Sequence, residues 1–218
     1  MKKLGDKEAF ALLKEARVPL VKHAFAKTPA LAAEASKRIG YPCVLKASSP
    51  ALIHKTEVGA VILNLAGPGD VIRAAALIQQ SVKKALPKAR IEGWLVQEQV
   101  RGKSVRELIV GSKNDPQFGH VLVVGLGGIF AEALNDVSLR LIPVTPADIA
   151  AMLDELKGAA LLGPARGMKP VNRKALIAFI AAVSRFAERA KRVQELDLNP
   201  VFADDQRVVA ADVRVIVE

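Results

Sequence analysis

Several residue types are scarce in this sequence. Aromatic residues make up 4% of the 218 residues, and Cys43 is the single cysteine. One cysteine cannot form an internal disulfide, so nothing points to an oxidising compartment and we expect a cytoplasmic protein. The longest uncharged stretch, residues 116–131, is shorter than a membrane span and contains Gln117 and His120,. No targeting or transmembrane segment is therefore predicted.

Acidic residues are outnumbered by basic ones, with 22 Asp and Glu against 32 Lys and Arg and a formal net charge of +10. This surplus favours an anionic partner, which could be nucleic acid, a membrane surface or a phosphate-rich small molecule. Hydrophobic residues make up 51% of the chain, which can therefore bury a sizeable core. That composition excludes an intrinsically disordered protein.

The pattern along the chain predicts an α/β protein. Typical N-caps, two of them followed by proline, predict four helices; the caps are Asp6, Thr28, Thr145 and Asn172,. Two aliphatic runs, CVLKA and GAVILNL, predict strands in the first part of the chain. From Ile91 onwards most segments read as strands. We therefore predict two lobes, one at residues 1–90 and the other at 91–218.

The end of the chain, ELDLNPVFA followed by DDQ and RVVAADVRVIV, predicts a β-hairpin,. If its turn centres on residues 205–206, paired residue numbers sum to about 411. Asn199 then opposes Asp212, and Asp197 opposes Arg214, all on one face. Oxygen ligands that converge in this way suit Mg²⁺. The alternative is a solvated polar face with an Asp197–Arg214 cross-strand pair.

A glycine run, Gly125–Gly128, follows an apolar strand and could form either a tight turn or a phosphate-binding loop,. The dinucleotide fingerprint GxGxxG fails, because its last position is Phe130,. Glu98 and Glu107 bracket the turn predicted at residues 101–103, which follows the strand IEGWLVQEQV. Either carboxylate could bind a sugar hydroxyl or face solvent.

Two further residues are candidates for phosphate chemistry. Lys46 lies within a predicted strand, where its ammonium needs a carboxylate, a phosphate or water, or else faces solvent,. His54 lies in the loop LIHKTEVGA, and a neutral imidazole is nucleophilic,. Most loop histidines have no such role, so the residue type alone does not decide the function.

Three stretches together resemble the ATP-grasp (beta) subunit of the NDP-forming acyl-CoA synthetases, relatives of succinyl-CoA synthetase. They are GYPCVLKASSPALIHKTEVGAV, VRELIVGSKNDPQFGHVLVVGLGGIFAE and ELDLNPVFADDQRVVAADVRV. The resemblance implies an ATP-grasp fold, with two α/β lobes around a nucleotide cleft. It also implies the reaction acyl-CoA + ADP + phosphate ⇌ carboxylate + CoA + ATP. The expected partner is a CoA-binding alpha subunit with a phosphohistidine loop, in a complex of two alpha and two beta subunits.

The same resemblance implies roles for individual residues. Those implied at the nucleotide are Lys46 at the phosphates, Gln97 and Glu98 along adenine, Glu107 near the ribose, and Gly127 and Gly128 in the glycine-rich turn. Asn199 and Asp212 are the implied Mg²⁺ ligands, in agreement with the hairpin register. His54 is the implied phosphate relay, and Arg140 and Arg166 are expected to contact phosphate.

One departure from the family and two other functions have to be considered. Ala60 replaces the second glycine of the family segment IHKSDVGG, which could restrict the backbone if a positive φ is needed there,. The chain could be a non-catalytic ATP-grasp partner that regulates an acyltransferase. It could also be a basic nucleic-acid-binding module, although its basic residues are spread along helices without interleaved aromatics.

Overall fold

The architecture is given by a computed structural model that describes residues 1–52, 55–128, 136–165 and 167–218. The chain divides into two compact units. The small unit contains Gly5–Lys7 and Val21–Val100, and the large unit contains Met1–Leu4, Glu8–Leu20 and Arg101–Glu218. Among the described residues, no helix combines the length and the apolar character that a membrane crossing requires.

The described elements include both helices and strands, as the α/β prediction requires. In chain order they are β1 (Lys2–Lys3), α1 (Asp6–Glu15), β2 (His23–Ala26), α2 (Pro29–Ile39), β3 (Cys43–Ser48), β4 (Val61–Leu65), α3 (Pro68–Ala85), β5 (Gly93–Glu98), β6 (Arg106–Asp115), β7 (Gly119–Leu126), β8 (Val137–Leu141), α4 (Pro146–Asp154), a 3₁₀ turn (Ala159–Leu162), α5 (Arg173–Arg189), β9 (Val193–Ala203), β10 (Val208–Ala210) and β11 (Arg214–Val217).

Three of the predicted N-caps begin helices as expected. The Thr28 side chain accepts a hydrogen bond from the backbone N–H of Leu31 at the start of α2. Thr145 forms a reciprocal capping box with Asp148 at the start of α4. Asn172 caps α5. Each cap satisfies an otherwise orphaned N–H of the first helical turn, which is why short sequence motifs located these helix starts.

The small unit contains an antiparallel sheet with the strand order β2-β5-β3-β4. One face of this sheet is apolar and belongs to the core with α2 and α3; its buried members include Cys43, Leu45, Ala47, Trp94 and Val96. Because side chains alternate along a strand, the neighbouring residues belong to the other face. We call this other face the lysine face; it carries Val44, Lys46, Leu95 and Gln97.

The large unit contains a seven-stranded antiparallel sheet among the described residues, ordered β1-β11-β9-β6-β7-β8, with β10 also paired to β9. One face is buried, and helices α4 and α5 contact its strands; its core includes Leu108, Val110, Leu122, Leu196 and Leu198. We call the other face the carboxylate face. It carries Glu107, Gly111, Glu195, Asp197 and Arg214.

The division into units differs in detail from the predicted lobes. Strand β5 pairs with β2 and β3, so the small unit continues to Val100 instead of ending near residue 90. Strand β1 pairs with β11, with Lys2 opposite Val217, which joins the first residues to the large unit. Alternation in a sequence identifies a strand but does not say which sheet it joins.

Gly111 offers a test of the packing between β6 and β9. A Cβ atom at this position would lie 2.5 Å from the carbonyl oxygen of Leu196, which is closer than non-bonded atoms tolerate. We expect Gly111→Ala to lower the free energy of unfolding by about 1–3 kcal/mol, measured by urea denaturation. At Gly5 a Cβ atom would meet nothing within 4 Å, so Gly5→Ala is the matched control. Equal stability of the two variants would contradict the prediction.

Candidate functional site

The lysine face presents two buried polar side chains on adjacent strands. Lys46 on β3 is 7% exposed and Gln97 on β5 is 1% exposed. Gln97 lies opposite Val44, and Lys46 lies opposite Leu95, so the four side chains share one face,. An ammonium at this depth is favourable only with polar or anionic partners. This face therefore provides a positive charge and an amide beside an apolar surface.

Glu98, at the end of β5, has a structural contact in addition to its predicted role. Its Oε1 accepts a hydrogen bond of 2.9 Å from the backbone N–H of Lys22. This contact fixes the chain just before β2 to the end of β5. Gln97 and Glu98 are consecutive in one strand, so their side chains point to opposite faces of the sheet. The structure thus places only Gln97 on the same face as Lys46.

The loop that carries the predicted relay histidine is described from Lys55 onwards, while His54 itself lies outside the described residues. Positive φ occurs at Gly59 (+65°) and not at Ala60. Ala60 is fully buried. Alanine at position 60 therefore needs no left-handed conformation, and the departure from the family's second glycine introduces no backbone strain here.

In the large unit, the glycine-rich turn packs directly on Glu107. The backbone N–H of Gly127 donates a hydrogen bond of 2.7 Å to the carbonyl oxygen of Glu107. A Cβ atom on Gly127 would lie 2.9 Å from the carbonyl carbon of Glu107, and Gly128 has a φ of +84°. Both positions consequently require glycine, one for close approach and one for its conformation. Glu107 is exposed beside this turn.

The terminal hairpin has the predicted register on both sides of an interruption. Arg214 pairs with Asp197, as predicted. Nearer the turn, Val208 pairs with Ala203 in the same register. Between these two ladders β9 bulges against β6, where the register shifts between Leu108 and Val110. Asn199 and Asp212 fall in this interruption and belong to neither of the two ladders.

Asn199 and Asp212 present side-chain oxygen atoms at the interruption of the hairpin. The ladder is replaced there by one hydrogen bond of 3.0 Å, from the N–H of Ala211 to the carbonyl oxygen of Pro200. Asn199 is exposed and Asp212 is half-buried. The Asp212 Oδ1 atom accepts a hydrogen bond of 3.1 Å from the N–H of Val213. An amide oxygen and a carboxylate on adjacent strand segments are suitable ligands for a hard cation.

Negative charge accumulates beside this position. The Arg214 guanidinium donates to the Glu195 carboxylate and lies 3.3 Å from Asp197. Burial raises the pKa of Asp197 above its ordinary value; Arg214 opposes the shift, and the charges of Glu195 and Asp212 reinforce it. A single guanidinium thus faces several carboxylates. A divalent cation would relieve this repulsion, so the residues present fit Mg²⁺.

The protein itself supplies few ligands at this position. Among the residues that the structure describes, no group of three or more His, Cys, Asp or Glu side chains is arranged to hold a metal ion. Mg²⁺ commonly takes one or two protein groups and completes its shell with water and substrate phosphates. The donor set of Asn199 and Asp212 therefore favours a metal that is brought in with a phosphorylated substrate.

The structure does not place Arg140 on the sheet face that carries Asp197 and Glu107. Arg140 pairs with Leu122, which belongs to the buried face of the sheet and not to the carboxylate face. Its guanidinium pairs with Glu155 and donates a hydrogen bond of 2.8 Å to the carbonyl oxygen of Leu139. Hydrogen bonds from Arg140 and Ser138 lower the pKa of Glu155. Arg166, the other predicted phosphate contact, lies outside the described residues.

Sequence reasoning missed Arg106, which organises the loop before α5. Arg106 is buried, and its guanidinium donates to the carbonyl oxygens of Leu161 (2.6 Å) and Ser104 (2.7 Å). Longer contacts of 3.4 and 3.5 Å reach the carbonyl oxygens of Gly163 and Lys169. These contacts hold both sides of the loop that contains Arg166. The sequence shows only that a charged residue precedes Glu107. It does not indicate that its guanidinium contacts carbonyl oxygens more than 50 residues away.

Comparisons with known proteins agree with this fold. A model of the ATP-grasp domain family matches residues 1–217. The chain is 38% identical over 213 residues to the beta subunit of ADP-forming acetate–CoA ligase I from Pyrococcus furiosus, covering 98% of this chain and 91% of that subunit. It is 41% identical over 199 residues to the ADP-forming 4-hydroxybutyrate–CoA ligase of Nitrosopumilus maritimus, covering 91% of this chain. The chain spans only 28% of that longer relative.

Solved structures give the same result. Acetyl-coenzyme A synthetase 1 of Candidatus Korarchaeum cryptofilum, in complex with coenzyme A and Ca-AMPCP, matches with a TM-score of 0.95 at 37% identity, covering 100% of this chain and 94% of that chain. Another structure of that synthetase contains coenzyme A and Mg-AMPPCP, and its phosphohistidine segment points towards the nucleotide-binding site. It matches with a TM-score of 0.84 at 33% identity, covering 100% of this chain and 93% of that chain.

The fold and the family match define an ATP-grasp protein. The chain belongs to the ATP-grasp (beta) components of the ADP-forming acyl-CoA synthetases, which are acid–thiol ligases. The family, the fold and the enzyme class predicted from the sequence are thereby confirmed.

Proposed function

We propose that this chain is the nucleotide-binding subunit of a complex that catalyses acyl-CoA + ADP + phosphate ⇌ carboxylate + CoA + ATP. The observation that carries the proposal is the interrupted hairpin, in which Asn199 and Asp212 lie at the break between two ladders, near the partly exposed carboxylate of Asp197. Such a donor set suits a metal–nucleotide complex. The proposal is further supported by the Pyrococcus beta subunit, which has nearly the same length.

The resemblance implies nucleotide-binding roles for residues of both units. In the small unit, Lys46 would neutralise phosphate charge, and the end of strand β5 at Gln97 and Glu98 would lie along the base, with the Gln97 side chain on the same face as Lys46. In the large unit, Glu107 and the turn at Gly127 and Gly128 would bind the ribose and the phosphates. Backbone N–H groups in such a turn are well suited to phosphate oxygens, and Lys46 adds a point charge.

The chemistry would depend on positioning and charge neutralisation. Phosphoryl transfer needs its oxygens held in line and their charge reduced more than it needs covalent assistance. Asn199 and Asp212 would hold Mg²⁺, which supplies positive charge to the β- and γ-phosphates when it is bound. His54 would take up the phosphoryl group transiently as a second relay, dividing a long transfer into two short ones. Arg166 is the further phosphate contact that the resemblance implies; Arg140, which pairs with Glu155, is not part of the proposed site.

A partner subunit would complete the reaction. The Pyrococcus relatives are named beta subunits, which implies a second subunit in those enzymes. We propose a CoA-binding alpha subunit that carries its own phosphohistidine loop, in an assembly of two alpha and two beta subunits. The acyl group would bind on that partner. Because ADP, CoA and phosphate are cytoplasmic metabolites, the complex would act in the cytoplasm.

Calorimetric titration of the chain with ADP and with ATP tests the nucleotide site. We expect binding of both nucleotides and an affinity that rises about tenfold or more when Mg²⁺ is present, because the metal offsets the repulsion between carboxylates and phosphates. Titration with AMP is the matched control, since AMP lacks the β-phosphate and should show little metal dependence. Equal affinity for ADP with and without Mg²⁺ would refute the metal assignment.

A further inference from the structure

A buried ion pair in the small unit has no part in the nucleotide site described above. The Nζ atom of Lys55 lies 2.8 Å from Oδ1 of Asp6, and the two residues are 49 positions apart. Their side chains are 6% and 3% exposed. Asp6 begins helix α1, and Lys55 directly follows His54 in the sequence. The pair therefore ties the loop that contains His54 to the start of α1.

Stability alone is a weak explanation for this pair. Removing two charges from water is costly, and apolar residues of similar volume often replace a buried ion pair without loss of stability. One carboxylate oxygen, Oδ2 of Asp6, is buried without a hydrogen-bond partner among the described residues. The carboxylate is thus incompletely satisfied, as expected for a group retained for something other than maximum stability.

Lys55 is also fixed through its backbone. Its carbonyl oxygen accepts a hydrogen bond of 2.7 Å from the N–H of Ala60. The carbonyl oxygen of Ala60 in turn accepts one of 2.9 Å from the N–H of Ala47. Ala47 is the neighbour of Lys46 on strand β3. A continuous series of short contacts consequently runs from Asp6 through Lys55 to the strand that carries Lys46.

We propose that Asp6 and Lys55 are positioning residues for phosphate transfer through His54. Their ion pair fixes the residue that follows the histidine, and the hydrogen bonds of Lys55 and Ala60 connect that residue to strand β3. The inference rests on the proposed function, because it needs His54 to act as the relay. A relay is effective only when its imidazole is held close to the donor and acceptor phosphates, and small displacements slow such transfers strongly.

Asp6→Glu is the most informative variant, because it keeps the charge pair but moves Lys55 by the length of one methylene. The chain, with its CoA-binding partner, is incubated with Mg²⁺ and ATP radiolabelled at the γ-phosphate. Transfer of the γ-phosphoryl group to an imidazole nitrogen of His54 breaks the bond to the β-phosphate and releases ADP, and acid-labile phosphate on the chain is followed with time. We expect labelling to slow by about tenfold or more, while ADP affinity stays within about twofold of the wild type. Labelling at the wild-type rate would overturn the proposal.

A second variant separates positioning from folding. Asp6→Asn with Lys55→Met removes both charges together, so neither partner is left charged and unpaired. We expect this double variant to unfold at nearly the wild-type temperature and to bind ADP normally, but to label slowly. A parallel loss of thermal stability, ADP affinity and labelling in both variants would show a purely structural pair and overturn the proposal.

The wild-type control separates this inference from the proposed function. If the relay exists, the wild type acquires acid-labile phosphate that the His54→Ala variant lacks. If the proposed function is wrong, the wild type will acquire no more acid-labile phosphate than the His54→Ala variant. Failure of the positioning role would instead leave that label intact in the wild type and unchanged in Asp6→Glu.

Discussion

Replacing Asp212 by alanine is expected to abolish the Mg²⁺-dependent gain in nucleotide affinity and to lower turnover about 100-fold or more. Asp212 follows β10 at the interruption of the hairpin, where Asn199 also lies, so its loss would leave the proposed metal site with a single protein ligand. The charge of Asp212 helps to raise the pKa of Asp197, so its removal also reduces the repulsion between these carboxylates. Without Mg²⁺, the variant should bind ADP at least as well as the wild type, because one negative charge has been removed.

The matched control is Asp205→Ala, which removes another carboxylate from the same hairpin. Asp205 lies in the turn and forms a partly exposed ion pair with Lys169 at 2.8 Å. Exposed pairs of this kind contribute little to stability, so stability and turnover should hardly change. Titration of both variants with ADP, with and without Mg²⁺, measures the difference. A metal response in Asp212→Ala as large as that of the wild type would disprove the assignment.

Replacing Lys46 by methionine is expected to weaken ADP binding by about 10- to 100-fold, with or without Mg²⁺. A hydrogen bond to a charged group is worth about 1.5–3 kcal/mol, which corresponds to this range of affinity. Methionine has a similar length and suits an apolar position, so the buried side of β3 should still pack. The loss should also lower turnover, because the same ammonium would draw charge from the transferred phosphoryl group.

Lys84→Met provides the control for this experiment. Lys84 is exposed on α3, on the surface of the same unit, so its replacement removes one positive charge and no buried contact. Calorimetry gives the ADP affinity, and thermal unfolding shows whether each variant is folded. Because long-range attraction between exposed charges is screened by salt, Lys84→Met should bind ADP normally at physiological ionic strength. Equal ADP affinity of Lys46→Met and the wild type would show that Lys46 does not contact the nucleotide.

The hairpin shows why part of the candidate site could be predicted from the sequence. The Asp204 side chain accepts hydrogen bonds of 2.8 Å from the backbone N–H groups of both Gln206 and Arg207. These contacts are local, so the turn residues set its centre and therefore the pairing of Asp197 with Arg214. Alternation along β3 assigned Lys46 to its face in the same local manner.

Other features depend on residues far apart in the sequence. The Lys55–Asp6 pair, the Arg140–Glu155 pair and the Arg106 contacts each join segments that meet only after the sheets have formed. Neither periodicity nor spacing in the sequence predicts such a contact, because each charged side chain could pair with many other residues of the chain. Arg140 is an example. The resemblance implies that it contacts phosphate, but the structure places it on the buried face of the sheet, where it pairs with Glu155.

The sequence by itself determined the α/β class, the helix starts, the hairpin register and, through three family-like stretches, the ATP-grasp family. These properties follow from local hydrogen bonding and from side-chain periodicity, which a linear sequence records directly. Only the tertiary structure decided that β5 joins the small unit, that β9 bulges at Asn199 and that Lys55 is held by Asp6. Those outcomes are set by competition among distant partners for pairing and burial, and that competition is resolved only when the chain is packed.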